Sequence, residues 1–382
     1  MSCAVKAWRL WILKRKKHLS ETHEAPLFLK RRKTRQILIG GIPVGGGSPI
    51  SVQSMTKTHT SDVQATLRQI KKVEESGGEI VRVAVPDEES VQALGVIVKE
   101  ASIPVVADIH FDHRLALSSI KKGVHGLRIN PGNIGSKDKV REVVLAARAE
   151  EIPIRIGVNS GSLEKALLAK HGGATPRAMV ESALNHVRIL EDLDFQLIKI
   201  SLKASDVSRT LAAFNLLAEK VDYPFHAGIT EAGSLIPGAI KSSVGLALLL
   251  SQGLADTIRV SLTAPPEEEV RVGFLILSSL GLRVHGPNLI SCPVCGRCEV
   301  DLPSIAQEIE KELALLKEPV NIAVMGCMVN GPGEAKEADI GLACGKGKGV
   351  VFKRGKLVRS LKEEDIVSEF TAEVKKFVAE EK

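Results

Sequence analysis

Five of the six cysteines fall in the C-terminal part of the chain, at spacings that suit metal binding. Cys292, Cys295 and Cys298 form a C-x2-C-x2-C run, and Cys327 and Cys344 follow. Thiolates at such spacing hold an iron–sulfur cluster or a tetrahedral structural zinc ion. Spacing alone decides neither the metal nor which four of the five thiols are its ligands. This clustering differs from the spread of a disulfide framework and indicates a metal or redox centre in a reducing cytoplasm.

A second group of residues that could do chemistry is a set of cations, each near the carboxyl end of a predicted β strand. They are Arg82, Arg128, Arg155, Lys203 and Arg259. Like charges packed together raise the free energy of a fold unless an anion compensates them, and the arginine fork matches phosphate oxygens in bidentate fashion. The set therefore predicts a polyanionic ligand, and we expect a diphosphate. For any single arginine the structural alternative is a salt bridge at the rim of the fold.

Other polar side chains share these strand ends and extend the predicted site. They are Gln53, Asp108, His110, Asn130, Asn159, Ser201, Glu231 and Ser261. Polar residues there need a reason that a packed interior does not supply, so we expect them to line the same pocket. For Asp108, His110 and Glu231 the alternative is that they only pair with the arginines.

The elements that position these residues form a repeat of a β-rich run followed by a helical pattern. The predicted strands are Ile50–Ser54, Glu79–Val85, Pro104–Ile109, Gly126–Asn130, Pro153–Asn159, Leu197–Lys203, Pro224–Glu231 and Thr257–Thr263. Eight such units in succession predict a (β/α)8 TIM barrel of the α/β class, with its active site at the carboxyl ends of the strands. A doubly wound sheet would carry a glycine-rich turn after its first strand, whereas Gly45, Gly46 and Gly47 precede it here.

The chain divides into three predicted parts. Residues 1–30 form a basic N-terminal extension that we expect to be disordered, and residues 31–281 form the barrel, which binds substrate. After Gly281 the pattern changes to cysteine motifs, a helix at Pro303–Leu316, a strand at Val320–Met325 and a hairpin near Gly345–Arg359. Residues 282–382 are therefore predicted to be a small α/β domain that holds the metal centre, with Pro287 interrupting regular structure at the boundary.

Charge and composition argue against two other classes of protein. The formal net charge is +7, but Met1–Gln36 alone holds eleven Lys and Arg against two Glu, so the remainder is slightly acidic and offers no basic face. Aromatic residues make up 3%, which disfavours the stacking platforms of nucleic-acid binders. No apolar run approaches the length of a membrane span. We therefore expect a cytoplasmic protein that binds neither nucleic acid nor membrane.

At this point the motifs resemble those of a known family, the 4-hydroxy-3-methylbut-2-enyl diphosphate synthases of the non-mevalonate (MEP) isoprenoid pathway, in their two-domain bacterial form. The similarity runs from about Arg31 to the C-terminus. The matching stretches include RRKTRQI, SVQSMTKT, VRVAVP, LRINPGNIG, IGVNSGSLE, ISLKASD, GITEAG, IRVSLT, SCPVCGR and MGCMVNGPGEAKEADIG.

The resemblance implies a ligand set for one 4Fe-4S cluster. The family's three cysteines and one glutamate correspond to Cys292, Cys295, Cys327 and Glu334, with Glu334 as the replaceable ligand. It implies that Cys298 and Cys344 are not ligands. It also implies that Arg82, Arg128, Arg155, Lys203, Arg259 and Ser261 hold the diphosphate, and that Asp108, Asn130, Asn159 and Glu231 line the rest of the pocket.

The implied reaction is the two-electron reductive ring opening and dehydration of 2-C-methyl-D-erythritol 2,4-cyclodiphosphate, with electrons from reduced flavodoxin or ferredoxin. Glu231 is the candidate for proton transfer. The rival interpretation from another enzyme class is a barrel that resembles pterin-binding synthases or methyltransferases, with structural zinc in the cysteine domain.

The predicted geometry also bears on assembly. The last barrel helix, near Pro266–Leu280, runs away from the active-site mouth for about 22 Å at 1.5 Å per residue. The chain therefore enters the cysteine domain at the wrong end of the barrel, and a cluster would struggle to reach the pocket of its own chain. We predict a head-to-tail homodimer in which each cluster domain caps the barrel of its partner.

Overall fold

The computed structural model describes residues 31–314 and 316–381. The predicted basic extension, residues 1–30, lies outside them. In the described residues a hairpin and a barrel come first. Their strands are β1 Gln36–Ile39, β2 Ile42–Gly45, β3 Ser51–Met55, β4 Ile80–Ala84, β5 Val105–Asp108, β6 Gly126–Ile129, β7 Ile154–Asn159, β8 Ile198–Lys203, β9 His226–Ala227 and β10 Thr257–Ile258.

Helices follow the barrel strands and cover their outer faces. They are α1 Val63–Glu75, α2 Glu88–Glu100, α3 His113–Lys121, α4 Pro131–Ile134, α5 Lys137–Ala149, α6 Lys165–His171, α7 Pro176–Glu191, α8 Val207–Ala218, α9 Leu235–Ser251 and α10 Pro266–Ser279. Several begin where an Asp caps the first turn: Asp62, Asp87 and Asp206 each accept a backbone N–H three residues on, at 2.6 to 2.9 Å.

The barrel strands are parallel and lie in the order β8-β7-β6-β5-β4-β3-β10-β9. A single bridge between Ile200 and Phe225 joins the two ends of this sheet and closes the barrel. The predicted (β/α)8 fold is thereby confirmed. Two predicted strands, Pro224–Glu231 and Thr257–Thr263, are much longer than β9 and β10, which have two residues each. At Gly228, just after β9, a Cβ would clash with the carbonyl of Arg259.

A hairpin that the sequence reading did not predict closes the amino end of the barrel. Its turn is Gly40-Gly41, where both residues have positive φ, as a tight hairpin of type I′ requires. Ile37, Ile39 and Val44 of the hairpin form one apolar cluster with the barrel residues Ile80 and Val106. The amino end is therefore plugged by apolar side chains.

The second sheet is formed by residues after the barrel, in the order β11-β12-β13-β14-β15. Its strands are β11 Pro287–Ser291, β12 Val320–Met325, β13 Ile340–Gly345, β14 Lys348–Lys353 and β15 Lys356–Lys362, and its helices are α11 Leu302–Glu312, α12 Gly331–Glu337 and α13 Ile366–Glu380. Strands β11, β12 and β13 are parallel, and β14 and β15 are antiparallel to their neighbours. Pro287 begins β11, so the prediction that it interrupts regular structure is wrong: a first-strand position needs no donated ladder hydrogen bond.

The segment between the two sheets is fixed at the amino end of the barrel. The guanidinium of Arg283 donates to the carbonyl of Ile50, just before β3, at 2.6 Å, and to the carboxylate of Glu79, just before β4, at 2.6 Å. The ring of His285 stacks on Phe274 with centroids 4.6 Å apart. The chain therefore leaves the barrel opposite to the carboxyl ends of its strands. No helix among the described residues is long and apolar enough to span a membrane.

Candidate functional site

The five predicted cations converge at the carboxyl end of the barrel. Lys203 is buried, and the charges of Arg155, Arg259, Arg82 and Arg128 all reach its ammonium group. Burial and then these four charges lower the pKa of Lys203 well below its ordinary value. Burial first, and then the charges of Arg259 and Arg128, lower the pKa of Arg82 to about 10, although the charge of Asp108 opposes them. The cations of this mouth therefore repel one another, and an anion bound there would compensate their charges.

Asp108 supplies one carboxylate in this mouth. Its oxygens lie 3.3 Å from Nε of Arg82 and 3.0 Å from Nη1 of Arg128. His110 Nε2 lies 3.7 Å from Asp108 and 3.2 Å from Nη1 of Arg128. Burial alone would raise the pKa of Asp108, but the charge of Arg82, the hydrogen bond with His110 and the charge of Arg128 outweigh it and lower the pKa below its usual range. Asp108 is therefore ionised and orients the side chains of Arg82 and Arg128.

Two residues that the sequence reading did not single out hold Arg259 and Arg82. Glu269, buried in α10, lies 3.3 Å from Nε of Arg259 and accepts hydrogen bonds from Ser54 Oγ at 2.8 Å and the Leu262 N–H at 3.1 Å. The Met55 sulfur accepts contacts of 2.9 and 3.2 Å from Arg82 and of 3.6 Å from Arg259. A thioether can lie between two guanidinium groups because it is a weak acceptor and carries no donor.

The remaining predicted residues differ in depth. Asn130 and Ser201 are buried, Asn159 and Ser261 are half-buried, and His110 and Glu231 are exposed. Glu231 has a φ of 52°, a left-handed conformation that is uncommon outside glycine and that recurs at functional sites. The exposure of the side chains at the strand ends thus increases from the buried cations at the bottom of the mouth to its rim, where Glu231 is exposed.

Gly157 on β7 makes room for one of the arginines. A Cβ at this position would lie 2.5 Å from Nε of Arg128, which is already tethered to Asp108. We expect Gly157→Ala to displace this guanidinium and raise the KM for an anionic substrate about tenfold, since small misplacements of binding groups are costly. Steady-state kinetics measures the effect. Gly161→Ala is the matched control because no atom lies within 4 Å of its Cβ position, and equal KM values for the two variants would contradict this role for Gly157.

In the second sheet the candidate metal ligands follow neighbouring parallel strands. Cys292 follows β11, Cys327 follows β12 by two residues, and Ser291 pairs with Val324. The Cys292 N–H also donates to the Val324 carbonyl at 3.4 Å. Because carboxyl ends of parallel strands meet at one edge, these thiols emerge together, and Cys295 lies near enough to Cys327 for their charges to interact.

Two of these thiols lie where the thiolate form is favoured. The backbone N–H groups of Asn330, Val329 and Gly331, at the start of α12, bond to Cys327 and lower its pKa. The backbone N–H and then the guanidinium of Arg297 lower the pKa of Cys295. Thiolates rather than thiols are metal ligands, so both positions suit metal binding.

The other candidate ligands have different environments. Cys344 is buried on β13, and burial raises its pKa to about 12. Cys298 packs against Gly326, and its Sγ donates to the Val300 carbonyl at 3.3 Å. Glu334 is exposed in the first turn of α12. Within residues 31–314 and 316–381 no three His, Cys, Asp or Glu side chains are gathered closely enough to hold a single metal ion.

The chain is thus a two-domain α/β protein: a barrel whose buried cationic mouth suits an anion is followed by a sheet domain with thiolate-favouring cysteines at one edge. Two family models match this chain in the same order: the GcpE TIM-barrel domain over residues 34–274 and the GcpE protein C-terminal domain over residues 288–376. The chain belongs to the GcpE family.

Curated relatives are similar over nearly their whole length. One from Geobacter sulfurreducens, named 4-hydroxy-3-methylbut-2-en-1-yl diphosphate synthase (flavodoxin), is 58% identical over 92% of this chain and 99% of its own. A relative of the same name from Maridesulfovibrio salexigens is 56% identical over 93% and 99%. A solved dihydropteroate synthase from Yersinia pestis has a TM-score of 0.46 at 10% identity, covering 64% of this chain and 97% of its own. The curated relatives do not favour the pterin-binding alternative.

Proposed function

We propose that this enzyme catalyses the reductive ring opening and dehydration of 2-C-methyl-D-erythritol 2,4-cyclodiphosphate to 4-hydroxy-3-methylbut-2-enyl diphosphate, a step of the MEP pathway of isoprenoid biosynthesis. The dianionic substrate takes up two electrons and one proton and releases water, which leaves a trianionic product. The observation that carries this proposal is the convergence of five cations in one barrel mouth on a chain 58% identical to a synthase of that name.

The barrel residues would bind and orient the substrate. Arg82, Arg128, Arg155, Lys203 and Arg259, with Ser201 and Ser261, would hold the diphosphate through charge-assisted hydrogen bonds. Asp108, His110, Asn130 and Asn159 would contact the carbon skeleton and its hydroxyl groups nearer the rim. Glu231, exposed at the rim with its left-handed backbone, would move the proton. Support for these roles is their common position at the strand ends.

The cysteine domain would hold one 4Fe-4S cluster through Cys292, Cys295, Cys327 and Glu334. The donor groups suit such a cluster. The thiols of Cys295 and Cys327 have lowered pKa values, and these two thiols and Cys292 lie at one edge of the sheet. Glu334 lies in the first turn of α12, the helix that follows Cys327. When bound, such a cluster supplies single electrons and a Lewis-acidic iron. Cys298 and Cys344 would remain outside the ligand set, because they pack against Gly326 and inside the domain core.

The direct test is turnover by the reconstituted protein. Anaerobically purified protein, given the cyclodiphosphate and a chemical reductant, is expected to form the linear diphosphate, as measured by mass spectrometry. EPR of the reduced protein should change when the cyclodiphosphate is added. A cluster-loaded, reduced protein that leaves the cyclodiphosphate intact would contradict the proposal. A colourless protein with stoichiometric zinc would instead favour the pterin-binding alternative.

The enzyme would act as a head-to-tail homodimer. Arg283 fixes the exit of the chain at the amino end of the barrel, whereas the cationic mouth is at the carboxyl end. A second support is an apolar stripe on α9, where Ile236, Ile240 and Val244 are 71%, 62% and 51% exposed at intervals of four residues. Exposed apolar stripes of this kind mark interaction surfaces, and a second copy of the chain would cover this one.

Complementation tests this arrangement. Arg128→Met lacks a barrel residue and Cys327→Ala lacks a ligand, so each variant alone should be inactive. Co-expressed in equal amounts, they should regain roughly a quarter of wild-type activity, because half of the dimers are mixed and each mixed dimer has one complete site. Co-expressing Cys327→Ala with Cys295→Ala is the control, since both defects lie in one domain. Mixed dimers that form without any activity would count against the arrangement.

Flavodoxin is the electron donor that the names of the relatives support, and ferredoxin is the alternative one-electron donor. The location would be cytoplasmic, since the proposed thiolate ligands need a reducing compartment. We propose no binding to nucleic acid or to a membrane.

A further inference from the structure

The middle of the barrel interior is polar where barrels usually pack branched apolar side chains. Among the described residues, this middle layer is formed by buried side chains from five strands: Ser51, Gln53, Lys199, His226, Thr257 and Arg155, whose charge reaches both Lys199 in the layer and Lys203 in the mouth. Lys199 and His226 belong to no residue set considered so far. The layer lies between the apolar plug below and the cationic mouth above.

Alternation along the strands shows that these side chains point inward. On β3, Val52 packs against Gly273 of α10 and Ser54 bonds to Glu269 of the same helix, so Ser51 and Gln53 face the interior. On β8, Ile198, Ile200 and Leu202 belong to the outer apolar core, which leaves Lys199, Ser201 and Lys203 inside. His226 Nδ1 bonds at 2.7 Å to Oγ1 of Thr257, its partner on the neighbouring strand.

The carboxylates near this layer are already paired. Asp108 binds Arg82 and Arg128, and Glu269 binds Arg259. Asp256, whose charge acts on Lys199, accepts hydrogen bonds from Arg31 at 2.8 Å and from the Phe225 N–H at 2.9 Å. The layer therefore has more basic groups than carboxylates to neutralise them.

The charged groups that face Lys199 and His226 are mostly cationic. Arg155 and Arg82 face Lys199, opposed by Asp256. Arg155, Lys203, Lys199 and Arg82 face His226. Burial first, and then these charges, lower the pKa of both residues well below their ordinary values. In the protein without ligand, these surroundings favour the neutral form of both residues.

Several atoms of the layer lack a hydrogen-bond partner in the described part of the chain. They are Ser51 Oγ, both side-chain atoms of Gln53, Nε and Nη1 of Arg155, and Nε2 of His226. Buried polar groups without partners cost free energy. Because these groups lie directly below the cationic mouth, they indicate a layer whose positive charge is compensated only when an anionic ligand is bound.

We propose that Lys199 and His226 form a proton-accepting layer beneath the diphosphate site, and that binding of the anionic substrate draws a proton from solvent onto this layer, with Lys199 as the main acceptor. The inference rests on the proposed function, since it requires a diphosphate ligand. An anion brought next to a neutral amine favours its charged form. The trianionic product would hold the added proton more strongly than the dianionic substrate does.

Calorimetry tests the proposal. The cluster-loaded protein without reductant is titrated with the cyclodiphosphate at pH 8 in buffers of different ionisation enthalpy. Each phosphorus of this ligand carries one strongly acidic oxygen, so the ligand itself exchanges no proton. We expect uptake of about one proton per site and an affinity that falls by up to about tenfold for each pH unit of increase. Lys199→Met should lose at least half of this uptake.

Control variants and stability measurements separate the possible causes. Lys220→Met, on the barrel exterior, should retain full uptake, and His226→Gln should lose the part that Lys199→Met keeps. Since the folded pKa of Lys199 lies below its unfolded value, the unfolded chain binds more protons, so the stability of the free protein should rise with pH toward the unfolded pKa. Lys199→Met should flatten this rise. Lys199→Gln replaces Lys199→Met in both measurements if the methionine variant does not fold.

The outcomes distinguish this inference from the proposed function. Binding of the cyclodiphosphate without proton uptake, or with equal uptake in wild type and in both Lys199 variants, overturns the inference and leaves the proposed function intact. A cluster-loaded wild-type protein that does not bind the cyclodiphosphate overturns both.

Discussion

Cys327→Ala protein is expected to fold, to lack the brown colour of a cluster, and to lose at least roughly a hundredfold in activity, because a metal site does not survive removal of a ligand. Cys327 has the backbone N–H groups of three residues directed at its sulfur, so its thiolate is stabilised before any metal arrives. The absorbance of the anaerobic protein, its iron content and its turnover of the cyclodiphosphate measure the effect.

The same chain supplies the controls for this experiment. Cys298→Ser and Cys344→Ala remove thiols of the same domain that we place outside the ligand set, and both should retain iron and most of the activity. If Cys298→Ser lost iron while Cys327→Ala kept it, the proposed ligand assignment would be wrong. Thermal unfolding of all three proteins checks that the domain remains folded.

Arg155→Met is expected to weaken binding of the cyclodiphosphate about a hundredfold, the size of one or two lost charge-assisted hydrogen bonds. The same variant should be as stable as the wild type or more stable. Arg155 is buried, two of its nitrogens lack partners, and burial together with the charges of Arg82 and Arg128 lowers its pKa well below the ordinary value. Removing such a charge removes an unfavourable electrostatic contribution to the stability of the ligand-free protein.

Opposite effects on affinity and stability distinguish a ligand-binding arginine from a structural one. Calorimetry gives the affinity and thermal unfolding gives the stability. Arg177→Met, exposed in the first turn of α7, is the matched control and should change neither. A variant at Arg155 that lost stability and affinity together would indicate that this guanidinium supports the fold rather than the ligand.

The carboxyl-end residues could be predicted because strand geometry is periodic. Side chains alternate between the two faces of a strand, so an arginine near the end of each predicted strand is directed either into the barrel mouth or onto a helix. Arg82, Arg128 and Arg155 all lie in the mouth. The same alternation places Lys199 two positions before Ser201 and four before Lys203, so a signal for the deeper layer was present in the sequence.

Other features depend on packing that no local pattern records. Glu269 is the third of three consecutive glutamates, and only the fit of α10 against β3 and β10 buries it beside Arg259. The hairpin over the amino end had a signal in Gly40-Gly41 between alternating apolar residues, but its strands are only four residues long.

The cysteine domain was predictable in part for similar reasons. Parallel strands that each end in a cysteine bring those thiols to one edge, as Cys292 and Cys327 illustrate. Spacing left five thiols for four positions. Local environment separates them: Cys295 and Cys327 are near N–H donors, whereas Cys344 is in an apolar core.

The anchoring of the interdomain segment by Arg283 has a consequence for the activity of the protein at low concentration. If one subunit's iron centre serves only the neighbouring subunit's pocket, a separated chain would remain folded and keep affinity for its ligand, yet would not turn over. Specific activity should then fall as the enzyme is diluted, and an excess of a pocket-deficient copy should restore it, because the iron centre of each added copy can serve the pocket of one intact copy.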